Sequence, residues 1–186
     1  MREIRLIRHG RSAAPFGVMI GKADPPLSHE GLLEATHLAE SLAAGRAGSP
    51  IDYLFCSPLA RARQTAQIVG ERLNLVPSVW DDLREIDLGL FDGLTAAQAK
   101  KNYPDAWDGR GADLYRVPPP GGESYADLGA RVLPAFDDIL KSHVGNLALV
   151  SHRAVIQVIL ARERDLPPWE APKINVAYAE AVTVWR

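Results

Sequence analysis

The sequence predicts an α/β fold built on a mainly parallel sheet. Three observations carry this. Short apolar runs at residues 3–8, 51–56 and 146–150 read as strands, and each is followed by a longer segment with apolar residues at helical spacing. Such alternation of strand and helix places helices on the faces of a parallel sheet. Third, His9, Arg61 and His152 each fall at a strand end or one turn past it, on the side where the helix begins. In open sheets of this class ligands bind outside the carboxyl ends of the strands.

The first strand, Glu3 to Arg8, sets Ile4, Leu6 and Arg8 on one side and Arg5, Ile7 and His9 on the other. It runs into Arg8-His9-Gly10, where a guanidinium fork stands beside an imidazole. That pair suits a phosphate: the fork holds the dianion and a ring nitrogen can attack phosphorus. The triplet alone is weak evidence, since a histidine near a strand end is commonly structural. Residues 11–26, with Gly17, Gly21, Pro25 and Pro26, read as loop. Ser28 is placed to cap a helix carrying Leu32, Ala35, Leu38, Ala39 and Leu42, which should stop near Gly45. After the strand 51–56, Ser57-Pro58 reads as a cap and first-turn proline of a helix running to Leu73, with Arg61 in its first turn. Residues 76–80 form a short strand, and residues 81–87 enter a loop with Gly89 and Gly93 beyond it.

Residues 88–122 are irregular: a short helix over 96–101, a polar glycine-bearing loop, then Pro118-Pro119-Pro120-Gly121-Gly122. This stretch reads as an excursion covering the site, within one domain spanning 1–186. A long amphipathic helix begins at Glu123 and contains Pro134, whose missing N–H predicts a kink. Helix 154–161 follows the strand 146–150, and two short strands are expected at 174–178 and 181–185.

Composition narrows the function. With 186 residues, 47% of them hydrophobic, one domain can bury a sizeable core. A net charge of -2 advertises no nucleic acid, so anion binding must be local. No run is long enough to span a membrane, and a cytoplasmic location is the default reading. Cys56 is the one cysteine, so an internal disulfide is excluded and no thiolate set for a metal exists. Four residues separate Cys56 from Arg61 and six separate it from Arg63, not the five that a cysteine-dependent phosphate loop places between its Cys and Arg, so it reads as a small buried apolar residue.

Several stretches taken together resemble the histidine phosphatase superfamily. They are residues 6–10 (Leu-Ile-Arg-His-Gly), 24–28 with Gly31, 56–66 (Cys-Ser-Pro-Leu-Ala-Arg-Ala-Arg-Gln-Thr-Ala), 83–89, 120–124 (Pro-Gly-Gly-Glu-Ser) and 150–152 (Val-Ser-His). The resemblance implies a three-layer α/β/α, phosphoglycerate mutase-like fold. It implies that His9 becomes phosphohistidine, that Arg8, Arg61 and His152 hold the phosphoryl oxygens with Ser12 and Gly21 nearby, and that Glu85 is the proton donor. The catalytic set is then His9, Glu85 and His152, with no metal and no cofactor. Two arginines and a protonated His152 would supply the charge that phosphoryl transfer needs. Asp87 and Asp92 are alternatives to Glu85 as the acid.

Two departures bear on substrate. Arg11, Ser12 and Pro15 stand where the family often has Glu, Thr or Ser, and Asn. Arg153-Ala154 stand where two glycines often follow the second histidine. The implied reaction is hydrolysis of a small-molecule phosphate ester, closest in pattern to the α-ribazole-5′-phosphate phosphatases. The alternatives are mutase-type phosphoryl transfer, disfavoured by the short excursion, and a non-catalytic phosphate-binding module, disfavoured by retention of Arg8, His9, Arg61, Glu85 and His152. Arg11, Arg110, Tyr115, Arg116 and Arg153 are candidates to contact the leaving group. Nucleic acid and membrane partners are not expected, and the sequence leaves monomer and dimer both open.

Overall fold

A computed structural model describes residues 1–45 and 48–186. Five strands form one sheet in the order β3-β2-β4-β1-β5: β1 Glu3–Arg8, β2 Tyr53–Cys56, β3 Ser78–Val79, β4 Leu147–Ser151 and β5 Ala181–Trp185. All neighbours run parallel except β5, which pairs antiparallel with β1. The helices are α1 His29–Ala43, α2 Ala60–Leu73, α3 Ala96–Asn102, α4 Pro104–Ala112, α5 Tyr125–Ser142 and α6 Arg153–Glu163.

Alternation along the strands makes two cores. Ile4, Leu6, Phe55, Leu147 and Leu149 pack with α5 and α6 on one face. Ile7, Leu54, Cys56, Ala148 and Val150 pack with α1 and α2 on the other. Fully burying one such aliphatic side chain is worth about 1.5–3 kcal/mol, so the sheet is held from both sides. Arg5 shares the second face and is as buried as its neighbours. It donates through Nε to Glu3 Oε1 at 3.0 Å and reaches the Ser49 carbonyl, so the charge is paired.

The register fixes the site. Arg8 lies opposite Ser151, and Cys56 opposite Val150, so the three central strands β2, β4 and β1 end at one rim. The ladder continues one residue further, with His9 N–H donating to the Ser151 carbonyl and Ser57 N–H to the Val150 carbonyl, both at 3.0 Å. His9, Ser57 and His152 therefore leave adjacent strands side by side.

Several local expectations hold. Ser28 Oγ accepts from Gly31 N–H at 3.0 Å and caps α1. Gly31 is required there, because a Cβ would run into the Arg11 carbonyl. Ser124 and Asp127 form a reciprocal capping box at the start of α5.

Three expectations are corrected. Ser57-Pro58 does not start α2, which begins at Ala60 with no side-chain cap from its own N-cap residue, Leu59. Instead Asp24, from a distant loop, accepts the Ala60 N–H at 2.6 Å, while the Ser57 hydroxyl is committed elsewhere. Residues 174–178 form no strand; they run as a loop whose Val176 carbonyl and Tyr178 ring serve Arg8. Residues 104–112, expected as loop, form α4 with Pro104 in its first turn. No helix among the described residues is long and apolar enough to cross a membrane.

Candidate active site

His9 sits at the floor of a cleft of about 640 Å³ whose walls include Arg8, Ser12, Arg61, Glu85, Arg110, Tyr125, Arg153 and Tyr178. Its Nδ1 lies 2.6 Å from the Gly10 carbonyl oxygen. A carbonyl only accepts, so Nδ1 carries the proton and Nε2 keeps its lone pair. Burial, then Arg61 and Arg8, push the His9 pKa down to about 3. The ring is therefore neutral across the physiological range, and its unprotonated Nε2 accepts from Arg61 Nε.

Arg61 reaches the cleft from the first turn of α2. Its Nε stands 3.3 Å from His9 Nε2, and Nη1 and Nη2 donate to the Ala23 and Gly21 carbonyls at 2.8 and 2.9 Å. The planar fork is thus oriented by backbone before any anion arrives. Gly21, expected near the phosphate, is absent from the cleft wall. Its N–H donates to Asp92 and its carbonyl receives Arg61, so it orients the guanidinium. Asp92 accepts the Gly21 and Ala23 N–H groups, both at 2.8 Å, and so spends both oxygens holding this loop.

Arg8 is held from the carboxyl-terminal loop. Nη1 donates to the Val176 carbonyl at 2.7 Å, and the Tyr178 ring covers the guanidinium at 3.6 Å. Its Nε is buried without a partner. Ser12 lies on the cleft wall. Arg11, a candidate for the leaving group, also lines the cleft and is paired with Glu34 at 2.9 Å and Glu30 at 3.3 Å.

Glu85 is buried, and that burial raises its pKa against the opposing pull of the Ile86 N–H, Arg61 and Arg8. Neither alternative acid is comparable. Asp87 accepts from Gly89 N–H and from Lys22, and Asp92 is committed as described. The segment bearing Glu85 is fixed by residues the sequence reading did not single out. Arg131, ion-paired with Glu123 at 2.8 Å, donates to the Asp82 and Arg84 carbonyls, and Ser151 Oγ donates to the Leu83 carbonyl.

His152 is fully buried, its ring centroid 5.0 Å from that of His9 at an interplanar angle of 62°. Nε2 lies 2.6 Å from Ser57 Oγ, and Nδ1 has no partner. The expectation of a protonated His152 is corrected: burial, then His9, Arg61 and Arg8, hold its pKa well below the usual imidazole value. Arg110 and Arg153 stand in the wall with no carboxylate partner among the described residues, and Arg110 Nε is buried and unpaired. Tyr115 and Arg116 lie outside this wall.

The arrangement offers a neutral nucleophilic ring, two oriented guanidinium groups, unpaired buried N–H groups and a protonatable carboxyl in one cleft. The 6-phosphofructo-2-kinase/fructose-2,6-bisphosphatase of Caenorhabditis elegans is 34% identical over 94% of this chain, and the fructose-2,6-bisphosphatase of Saccharomyces cerevisiae 32% over 94%. The chain spans 37% of the length of each. A mycobacterial glucosyl-3-phosphoglycerate phosphatase superposes with a TM-score of 0.86 at 30% identity, covering 98% of this chain and 89% of that one. A putative α-ribazole-5′-P phosphatase from Escherichia coli shares the fold, with a TM-score of 0.88 at 24% identity over 98% of this chain and 89% of that one. A family model described as the histidine phosphatase superfamily, branch 1, matches residues 4–185, and the chain belongs to that superfamily.

Proposed function

We propose that this chain hydrolyses small-molecule phosphate monoesters through a phosphohistidine at His9. The observation that carries the reading is the locked His9 tautomer, with Nε2 unprotonated beside Arg61 in a cleft that also holds Arg8 and Glu85. In the first step Nε2 attacks phosphorus and the ester P–O bond breaks. Arg8 and Arg61 carry the charge on the non-bridging oxygens. Glu85, kept protonated by burial, gives its proton to the departing alkoxide oxygen. In the second step the Glu85 carboxylate takes a proton from water, the water oxygen bonds to phosphorus, and the P–N bond breaks to release orthophosphate. Charge stabilisation comes from guanidinium groups, so turnover is expected to persist in excess chelator; loss of activity there would count against the scheme.

Arg110 and Arg153 favour a leaving group that itself carries an acid. Once Arg8 and Arg61 hold the transferred phosphoryl group, these two cations stay without a counter-charge. A second phosphate, as in the substrate named for the fructose-2,6-bisphosphatases, meets that demand. α-Ribazole 5′-phosphate stays in the test set, although the α-ribazole phosphatase neighbour at 24% identity supports the fold alone. The experiment is a phosphate-release panel containing fructose 2,6-bisphosphate, glucosyl-3-phosphoglycerate, 3-phosphoglycerate, α-ribazole 5′-phosphate and p-nitrophenyl phosphate. Rapid quench should trap an acid-labile phosphoprotein, absent in His9→Ala, and that variant should lose several orders of magnitude in kcat. A wild-type protein that releases no phosphate from any of these, or an unaffected variant, overturns the proposal.

A further inference from the structure

Ser57 stands inside one of the stretches that mark the family, yet it neither caps α2 nor lines the cleft. It is fully buried, and its Oγ has two neighbours: the Leu59 N–H at 3.3 Å, which donates to it, and His152 Nε2 at 2.6 Å. Hydrogen counting decides the direction of the second bond. Were Nε2 protonated, two N–H groups would converge on Oγ and the buried hydroxyl hydrogen would be left without an acceptor among the described residues. With Nε2 bare, the hydroxyl accepts from Leu59 and donates to His152, and every group at Oγ is satisfied. A neutral ring with a bare Nε2 carries its proton on Nδ1. That nitrogen is buried with no partner, in a ring whose centroid lies 5.0 Å from that of His9. A buried N–H left unpaired costs about 1–3 kcal/mol, a deficit that an incoming oxygen would remove.

We propose that Ser57 is a positioning residue that fixes His152 as the Nδ1–H tautomer, so that Nδ1–H donates to a phosphoryl oxygen over His9. Its second half rests on the phosphatase reading; the tautomer itself does not. Without the hydroxyl, the proton is free to sit on Nε2. Nδ1 would then present a lone pair to an anionic oxygen, and a donor would become a source of repulsion.

The test uses protein labelled with ¹⁵N at histidine, with His152→Gln supplying the assignment. Long-range ¹H–¹⁵N correlation on the ligand-free wild type should show Nδ1 protonated and Nε2 bare, and orthovanadate should shift Nδ1. Ser57→Ala should mix or reverse the tautomer and lower kcat for p-nitrophenyl phosphate about 10²-fold, the scale of losing one oxyanion donor, with KM changed far less. Ser57→Thr keeps the hydroxyl and should restore both tautomer and rate. A protonated Nε2 in the wild type, or an Ala variant with tautomer and rate unchanged, overturns the inference. An Nδ1 signal indifferent to orthovanadate overturns its second half. If the wild type shows the Nδ1–H tautomer but hydrolyses no phosphate ester, the functional reading fails and the tautomer assignment stands.

Discussion

Glu85 lies in an acidic run with Asp81, Asp82 and Asp87, and a solvated turn would hold them all ionised. Burial separates Glu85 from the rest of the run and raises its pKa. An acid that must be protonated to act loses function as pH rises through that raised pKa. Glu85→Gln should lower kcat by about 10²–10⁴-fold on an alkyl phosphate. The effect should be much smaller on p-nitrophenyl phosphate, whose phenolate leaves without a proton. The alkaline limb of the wild-type pH–rate profile should vanish in the variant, and its persistence would reassign the acid. The residues proposed to act at phosphorus were legible because their types are demanded by that chemistry. Those that aim them were not: Ser57, Asp92 and Arg131 act through backbone amides, carbonyls or a second ring, and no spacing rule announces such contacts.

At the scale of elements, the carboxyl-terminal loop changes meaning most between sequence and structure. Apolar residues at 174–178 suggested a strand, but the edge of β1 is taken by β5, so this stretch crosses the strand ends instead. There the Val176 carbonyl and the Tyr178 ring grip Arg8, and Ala179 N–H donates to the His9 carbonyl at 3.3 Å. Tyr178 thus holds a guanidinium flat against its ring, a contact worth about 0.5–2 kcal/mol. Tyr178→Ala should weaken inhibition by orthophosphate about 2- to 30-fold, the same energy expressed as a ratio. Tyr178→Phe keeps the ring and should bind nearly as the wild type does. Equal weakening by both would assign the effect to the hydroxyl rather than to the stacked face. The helices on the sheet were readable from their apolar stripes. α4 was not, because Gly109 and Gly111 dilute its pattern and none of its residues is buried.

For the whole molecule, charge is arranged against the average. The chain carries a net charge of -2, yet one rim gathers Arg8, Arg61, Arg110 and Arg153 around two buried imidazoles. A strand-end histidine can be read from sequence, but its ionisation depends on what the completed fold packs over it. The consequence is an acid-sensitive fold. In the unfolded chain His9 and His152 titrate near 6.5, whereas in the folded state His9 falls to about 3 and His152 lies well below its usual value. The unfolded state therefore binds more protons below about pH 6.5, and stability must drop as pH falls from there toward 3. Glu85 works in the opposite sense, since its raised pKa makes the folded state the better proton acceptor above the usual carboxylate range. Glu123 and Glu163, held low by their arginine partners against burial, lose their contribution only further into acid. Comparing variants isolates the imidazole share. Urea unfolding midpoints of the wild type should fall steadily between pH 7 and 5, and the double variant His9→Asn, His152→Asn should show a flatter line over the same interval. Parallel slopes would mean that the two rings titrate alike in the folded and unfolded states, and a His9 protonated in that range has no lone pair on Nε2 with which to attack phosphorus.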